Sequence, residues 1–339
     1  MRYQILLILL LCASLLTAVN QPQYEENASG LRARMSFERI VPSIEEQIVD
    51  EEGFDNVSSF TTTYALPFES VGIRVNSIVW DVFDASGNFL HQISDRKSQD
   101  VVVANSFQFR EMRGFTVKAP TRYSESGLEY RLSQLDYSLS GSGNIILPQS
   151  VSPAFVEAYK LLADNYDTSY LKGLPTARPK MLIISHPNLA NYQRQFINWK
   201  RSLGMDVDVV IKDDIGNSVN EIKNYLIDYY QQHRPDYLLL LGDVTGNFSI
   251  PTAFFPSPEY QENDADDYQY SLLEGDDYFP ELLVGRFSFN EINEFRNMAN
   301  KTIIYERQPF MGETDWMKRS LVVAGNYAEG NLRPTTPVH

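Results

Sequence analysis

Between Pro235 and Gly285 the chain carries no Lys, Arg or His, yet it places carboxylates at Asp236, Asp243, Glu259, Glu262, Asp264, Asp266, Asp267, Glu274, Asp276, Asp277 and Glu281. Carboxylates gathered without counter-charge repel one another unless water or a cation lies between them. Calcium suits such a stretch chemically, because it takes about six to eight hard oxygen ligands. The alternate positions Asp277, Phe279 and Glu281 can turn two carboxylates and a carbonyl towards one centre. The bland account of the same residues is a solvated acidic loop, and composition alone leaves both open. An EF-hand is excluded, because Asp264-x-Asp266 lacks the glycine and the terminal glutamate of that motif.

Other residue types that do chemistry are sparse. Ser185-His186 reads as a nucleophile beside a base, but adjacent side chains on extended backbone diverge and cannot share the hydrogen bond that such a pair needs. His91 falls in a β-rich region, His233 near a helix end where a dipole contact accounts for it, and His339 is terminal. The single cysteine, Cys12, lies inside an apolar N-terminal run. The remainder therefore offers no disulfide, no cysteine-ligated zinc and no thiol nucleophile. Trp199 sits at helical spacing with Tyr192, Phe196 and Leu203, which reads as core. Arg286 is as fit to pair with an acidic-stretch carboxylate as to touch a substrate.

The elements that must position these residues change character along the chain. Tyr237–Leu241 is an apolar run too short for a helix and stopped by Gly242, which predicts a strand buried on both faces. Asp243 then stands just past a strand's carboxyl end, where open α/β sheets bind ligands. From Lys180 onward strands and helices alternate. Met181–Ile184 and Val207–Ile211 read as strands, and Leu189, Tyr192, Phe196, Trp199 and Leu203 form one helical face ended by Gly204. Ser218 with Glu221 makes a capping box opening a second helix. Leu282–Val284, a helix from about Glu291, and a strand at Leu321–Ala324 complete the series. Repeated βα units predict a parallel, doubly wound sheet with right-handed crossovers.

Before Lys180 the pattern is β-rich. Val71, Ile73 and Val75 alternate with polar residues, and Ile78, Trp80 and Val82 continue after a register shift. A turn at Ser86-Gly87-Asn88 and runs at Val101–Phe109, Phe115–Lys118 and Leu128–Leu139 predict a β-sandwich. Ser140-Gly141-Ser142-Gly143-Asn144 reads as a linker or turn, Ser152-Pro153 as a helix start, and residues 175–179 as an exposed linker in which Arg178 is a candidate processing site.

The chain has 339 residues, a length that favours two domains, and its 20 Tyr and 19 Phe supply ample core. A net charge of −15 argues against nucleic acid or an anionic membrane as partner, since both call for a basic footprint. Met1-Arg2 followed by an apolar run to Ala18 reads as a secretory signal peptide, too short for a membrane span. The bulky Leu10-Leu11 before Cys12 do not suit lipid attachment. The expected organisation is a signal peptide at 1–20, a β-rich domain at 21–150, a helical segment and linker at 151–179, and an α/β part at 180–339.

Over Met181–Gly325 the chain resembles the first part of the gingipain-type cysteine peptidase domain, a caspase-like α/β fold. The matching pieces are the opening strand MLII, FINWKRSLGMDVDV with Trp199-Lys200 and Gly204, LLLLGDV at 238–244, EGDDYFPELLVGRFS at 274–288, and TIIYER at 302–307. Their shared order is more specific than any one motif. The β-rich region stands where family members carry a β-sandwich prodomain. The resemblance implies a structural Ca²⁺ ion held by Asp243, the carbonyls of Glu274 and Phe279, and the side chains of Asp277 and Glu281. It also implies a cysteine nucleophile and a histidine partner in His-Gly and Ala-Cys motifs, neither of which occurs here. The expectation is thus a secreted cysteine-type endopeptidase, extracellular or at the cell surface, acting on protein or peptide substrates, with a bacterial secretion apparatus as a further partner. These residues would be the front part of it, incomplete at the C-terminal end of the sheet and inactive alone. Two contrasting readings are a non-catalytic secreted scaffold or adhesion protein with a calcium-binding peptidase-like domain, and a relative that processes and anchors other secreted proteins.

Overall fold

The computed structural model describes residues 19–37, 58–256, 263–307 and 315–321. The apolar N-terminal run with Cys12, the acidic segment 43–53, Glu259 and Glu262, and all but the first residue of the strand expected at Leu321–Ala324 lie outside them. Among the described residues no helix is long and apolar enough to cross a membrane.

The first part is antiparallel. Its strands are β1 (Val19–Asn27), β2 (Gly30–Phe37), β3 (Ser58–Ala65), β4 (Phe68–Phe83), β5 (Phe89–Ser94), β6 (Val102–Phe109), β7 (Met112–Glu125) and β8 (Leu128–Ile145). They form one branched sheet, in which β1-β2-β8-β4-β5 is one arm and β7, joined to β8, carries β3 and β6 as the other. Both arms contribute to one core. Leu31, Ala33 and Met35 of β2 and Ile78, Trp80 and Val82 of β4 meet Phe115 and Val117 of β7 and Leu135, Tyr137 and Leu139 of β8. The period of two along each strand is what sends these side chains to one face. The register shift read in the β4 sequence is present as an irregularity in the pairing with β8 between Val75 and Ser77.

Residues 140–144 correct an expectation. They do not form a linker but continue β8, with Gly72 paired to Ser140 and Ser70 to Ser142. A Cβ on Gly141 would overlap the Phe68 ring, so the glycine is there to let that ring lie on the strand. The helix expected from Ser152-Pro153 begins later, as α1 (Val156–Leu162). Ser152 instead closes a turn by accepting from the Ala154 N–H.

The second part runs β9 (Lys180–Ser185), α2 (Arg194–Ser202), β10 (Asp206–Ile211), α3 (Lys212–Ile215), α4 (Val219–His233), β11 (Tyr237–Leu241), a small ribbon of β12 (Ala253–Pro256) and β13 (Asn263–Asp266), then β14 (Leu283–Phe287) and α5 (Ile292–Glu306). The strand order is β10-β9-β11-β14, and every pair is parallel. Helices cover both faces. Phe196 of α2 and Phe295, Ala299 and Ile303 of α5 bury Met181, Ile183, Leu239 and Leu241. Ile222, Leu226 and Tyr230 of α4 bury Leu182, Ile184, Leu238 and Leu240 on the other face. Successive residues of β9 and β11 thus enter opposite cores, which is why these strands read as unbroken apolar runs. Each such fully buried aliphatic side chain contributes about 1.5–3 kcal/mol relative to exposure. The Ser218–Glu221 capping box opens α4 as the sequence predicts.

Candidate functional site

From β9 the chain passes to β10 on one side of it and then to β11 on the other. In open α/β sheets such a reversal is where the loops leaving the carboxyl ends of neighbouring strands diverge and ligands bind. Ser185-His186 stands at the end of β9 there, and Gly242-Asp243 directly follows β11. Gly242 has φ of 152°, and a Cβ there would overlap the Phe248 carbonyl, so the turn after β11 closes only with glycine. Its N–H donates to Phe287 O at 2.9 Å, and Ile250 N–H donates to Asp243 O at 2.8 Å.

Asp243 ties the ends of β11 and β14 together. Its Oδ1 accepts from the Val244 N–H at 2.8 Å and the Ser288 hydroxyl at 2.7 Å, and its Oδ2 from Asn290 Nδ2 at 3.0 Å. The Ser288 hydroxyl, then the Val244 N–H, hold its carboxyl below the usual carboxylate range. Asn290 Oδ1 is buried in the same corner without a hydrogen-bond partner. At the end of β9, His186 Nδ1 accepts from the Asn188 N–H at 3.3 Å, and its ring meets Phe248 of the loop after β11 edge-on at 5.4 Å. Ser185 is fully buried and its hydroxyl donates to the His186 carbonyl at 3.4 Å, not to the imidazole. The pair therefore lacks the nucleophile–base hydrogen bond, as its adjacency on a strand predicts.

Arg286, near the end of β14, anchors the acidic insertion to the sheet. Its Nε and Nη2 grip Asp267 at 2.8 and 2.7 Å, while Nη1 donates to Gly242 O at 2.9 Å and Ile250 O at 3.0 Å. Thr252 donates to the same aspartate at 2.7 Å. Burial pushes the Asp267 carboxyl up, but the bonds from Arg286 and Thr252 outweigh it and hold the group below its ordinary range. Arg286 thus supplies the counter-charge that the insertion lacks in its own sequence.

The structure does not bring the five expected calcium ligands together. Tyr237 pairs with Leu283 and Leu241 with Phe287, so Asp243 lies beyond the carboxyl ends while Glu281 precedes β14 at the amino edge. At about 3.3 Å per residue the two are on the order of 20 Å apart, whereas ligands of one Ca²⁺ stand within about 2.6 Å of it. The other four share one turn. Glu281 Oε2 accepts from the Leu273 and Glu274 N–H groups at 2.6 and 3.1 Å, and Asp277 Oδ1 from the Phe279 N–H at 2.8 Å. Burial raises the Glu281 carboxyl above its ordinary value; the two N–H groups oppose this and the charges of Glu274 and Asp277 add to it. Glu274 also meets Arg234 at 3.2 Å. Among the described residues no three His, Cys, Asp or Glu side chains are grouped to hold a metal ion. The turn's donor set, two carboxylates and two backbone carbonyls, suits calcium in type.

One pairing of the quoted sequence pieces escaped the sequence reading. Trp199 Nε1 donates to Glu306 Oε2 at 2.7 Å and Lys200 pairs with the same carboxylate, while Arg307 lies over the Trp199 ring at 5.0 Å. A buried lysine on the apolar face of α2 was the signal, because such a charge requires a partner.

Residues 174–336 match the family model of peptidase family C25. Gingipain R1 of Porphyromonas gingivalis is 26% identical over 235 residues, 66% of this chain and 22% of its own length. Gingipain R2 is 26% identical over 241 residues, 67% of this chain and 31% of its own length, and a Lys-gingipain is 24% identical over 63% of this chain and 13% of its own length. The chain thus spans less than a third of these relatives. Among solved structures, the Arg-specific cysteine proteinase gingipain R aligns at 24% identity over 38% of this chain and 28% of that one, with a TM-score of 0.34. The α/β part of the chain is thus similar to peptidase family C25 and to the gingipains.

Proposed function

We propose that the chain is part of a secreted cysteine-type endopeptidase of gingipain type, with protein or peptide substrates, a caspase-like α/β domain and a β-sandwich-like domain preceding it. The observation that carries this reading is the family match at 174–336, over a parallel sheet whose strand order reverses between β9 and β11. In this reading a cysteine thiolate attacks the peptide carbonyl to form a thioester while a histidine passes the proton to the departing amine. Backbone N–H groups hold the oxyanion, and water then releases the acid. The described residues do not supply the thiolate; they supply the sheet and the strand ends at its topological switch. Export by the N-terminal apolar run places the enzyme outside the cell or at its surface. Reading the coding sequence in frame past the His339 codon tests the proposal. A His-Gly and a later Ala-Cys after further strands, together with hydrolysis that alkylation abolishes, is the expected result. A reading frame lacking that cysteine would sink it.

A calcium ion in the turn 274–281, held by the Asp277 and Glu281 carboxylates and the Glu274 and Phe279 carbonyls, belongs to the same proposal, with Asp243 left out of the set. Chelator should lower the melting temperature of the chain, Asp277→Ala should abolish that response, and Asp243→Asn should leave it in place. A melting temperature indifferent to chelator removes the ion from the proposal.

A further inference from the structure

We propose that the groove between α2 and α5 binds an extended, acidic stretch of polypeptide, and that in the peptidase proposed above it holds a part of the substrate away from the bond that is cut. The two helices cover one core, and a groove of about 700 Å³ lies between them. Each helix presents the same pair of side chains to it, one turn apart: Arg194 and Asn198 on α2, Arg296 and Asn300 on α5. Residues four apart on a helix stand on one face. The buried rings of Phe196 and Phe295 make the floor.

Charge sets the groove apart. The chain carries 44 Asp and Glu against 29 Lys and Arg, yet no carboxylate lines this groove. Among the described residues neither Arg194 nor Arg296 is ion-paired. Arg296 is nevertheless held in place, because its Nη1 donates to Asn293 Oδ1 at 3.3 Å and its guanidinium lies over the Tyr192 ring at 5.1 Å. A planar fork fixed in that way loses less freedom when it grips a carboxylate through two parallel hydrogen bonds. Elsewhere the field of a chain with net charge −15 repels an acidic ligand, so such a ligand collects only where two guanidinium groups lack a partner.

The remaining groups favour a peptide over a phosphate or a sugar acid. Besides Asn198 and Asn300, the amides of Asn191 and Gln195 line the groove. Each amide offers donors and an acceptor, which match the N–H and C=O of a peptide backbone. Between Phe295 and Ile303 α5 rises about 12 Å, the span of about three to four extended residues. Successive side chains of an extended segment point to opposite sides, so two neighbouring carboxylates can meet Arg194 on one rim and Arg296 on the other. Because α2 follows β9 and α5 follows β14, both helices start at the carboxyl edge of the sheet, and the groove opens towards the edge where the strand order reverses.

The test measures binding, not hydrolysis. The full chain is titrated at low salt against fluorescein-labelled hexaglutamate and against the same peptide with every Glu replaced by Gln, followed by anisotropy. Saturable binding of the glutamate peptide alone is the expected result, with a loss of at least tenfold in the double variant Arg194→Gln, Arg296→Gln. The double variant Arg194→Lys, Arg296→Lys, which keeps the charge without the fork, should recover part of that loss. Both side chains are exposed, so the variants should keep the parent melting temperature. Should a double variant not fold, each single substitution is read instead, with a loss of about threefold expected where the two act independently. Unchanged binding in the folded variants, equal binding of the glutamine peptide, or tighter binding of a trigalacturonate overturns the proposal. So does a failure to bind hexaglutamate, the outcome where a segment of the chain itself fills the groove. A reading frame without the cysteine leaves this groove standing, and a groove that binds nothing leaves the peptidase standing.

Discussion

Asp136, in the middle of β8, shows what one carboxylate does between strands. Arg32 donates to it from Nε at 3.0 Å and Nη2 at 2.6 Å, Arg34 at 3.2 Å and Asn76 at 2.7 Å, so it links β2 and β4 across β8. These bonds, that of Arg32 first, hold its carboxyl down to about 2. A carboxyl lowered on folding stabilises the protein above its unfolded pKa, near the ordinary value, and loses that contribution as pH falls through the folded one. The window is therefore the fall from about pH 4 to pH 2. Such a shift corresponds to at most about 2.5 kcal/mol, and the exposure of the arginines reduces it to about 1 kcal/mol. Asp136→Asn should lower stability by that amount at pH 7 and by almost nothing near pH 2. Urea midpoints at the two pH values check it, and an equal loss at both would show that packing, not charge, is involved.

Elements differ in how far the sequence discloses them. The run Tyr237–Leu241 was legible because both its faces are apolar, and α4 because Ser218 and Glu221 cap it within four residues. Ser218 accepts from the Glu221 N–H and Glu221 from the Ser218 N–H. Ser218→Ala should cost about 1 kcal/mol, read as a fall in melting temperature with an unchanged sheet signature. Residues 140–144 were illegible for the opposite reason. Their composition says linker, and what makes them strand is pairing with Ser70 and Gly72, far back in the chain. Gly141→Ala should force the Phe68 ring aside and cost about 1–3 kcal/mol, and Phe68→Ala in the same chain should relieve the clash, so that the two losses do not add. The expected calcium set failed to assemble because the parallel register of β11 and β14, which no local pattern contains, sends Asp243 and Glu281 to opposite edges.

For the whole molecule, the decisive contacts join residues more than a hundred positions apart. Arg110 reaches Pro235, Asp236 and Glu281, and Phe109 meets Phe279, so one apolar cluster of Phe109, Met112, Phe155, Tyr159 and Leu171 adjoins both halves. Two halves coupled through buried charge and shared apolar surface unfold together when the coupling exceeds the stability difference between them. Scanning calorimetry of the chain should therefore show a single endotherm. Asp236→Asn removes the charge opposite a buried guanidinium and weakens the bonds to Ser152 and Lys180, a loss of about 3–5 kcal/mol for a broken buried pair. Because that loss falls on the contact between the halves, it should split the endotherm into two rather than shift it whole. A single endotherm moved to lower temperature would mean that the cluster around Phe109 and Phe155 couples the halves without the charge pair. Two endotherms in the unsubstituted chain would mean that neither does.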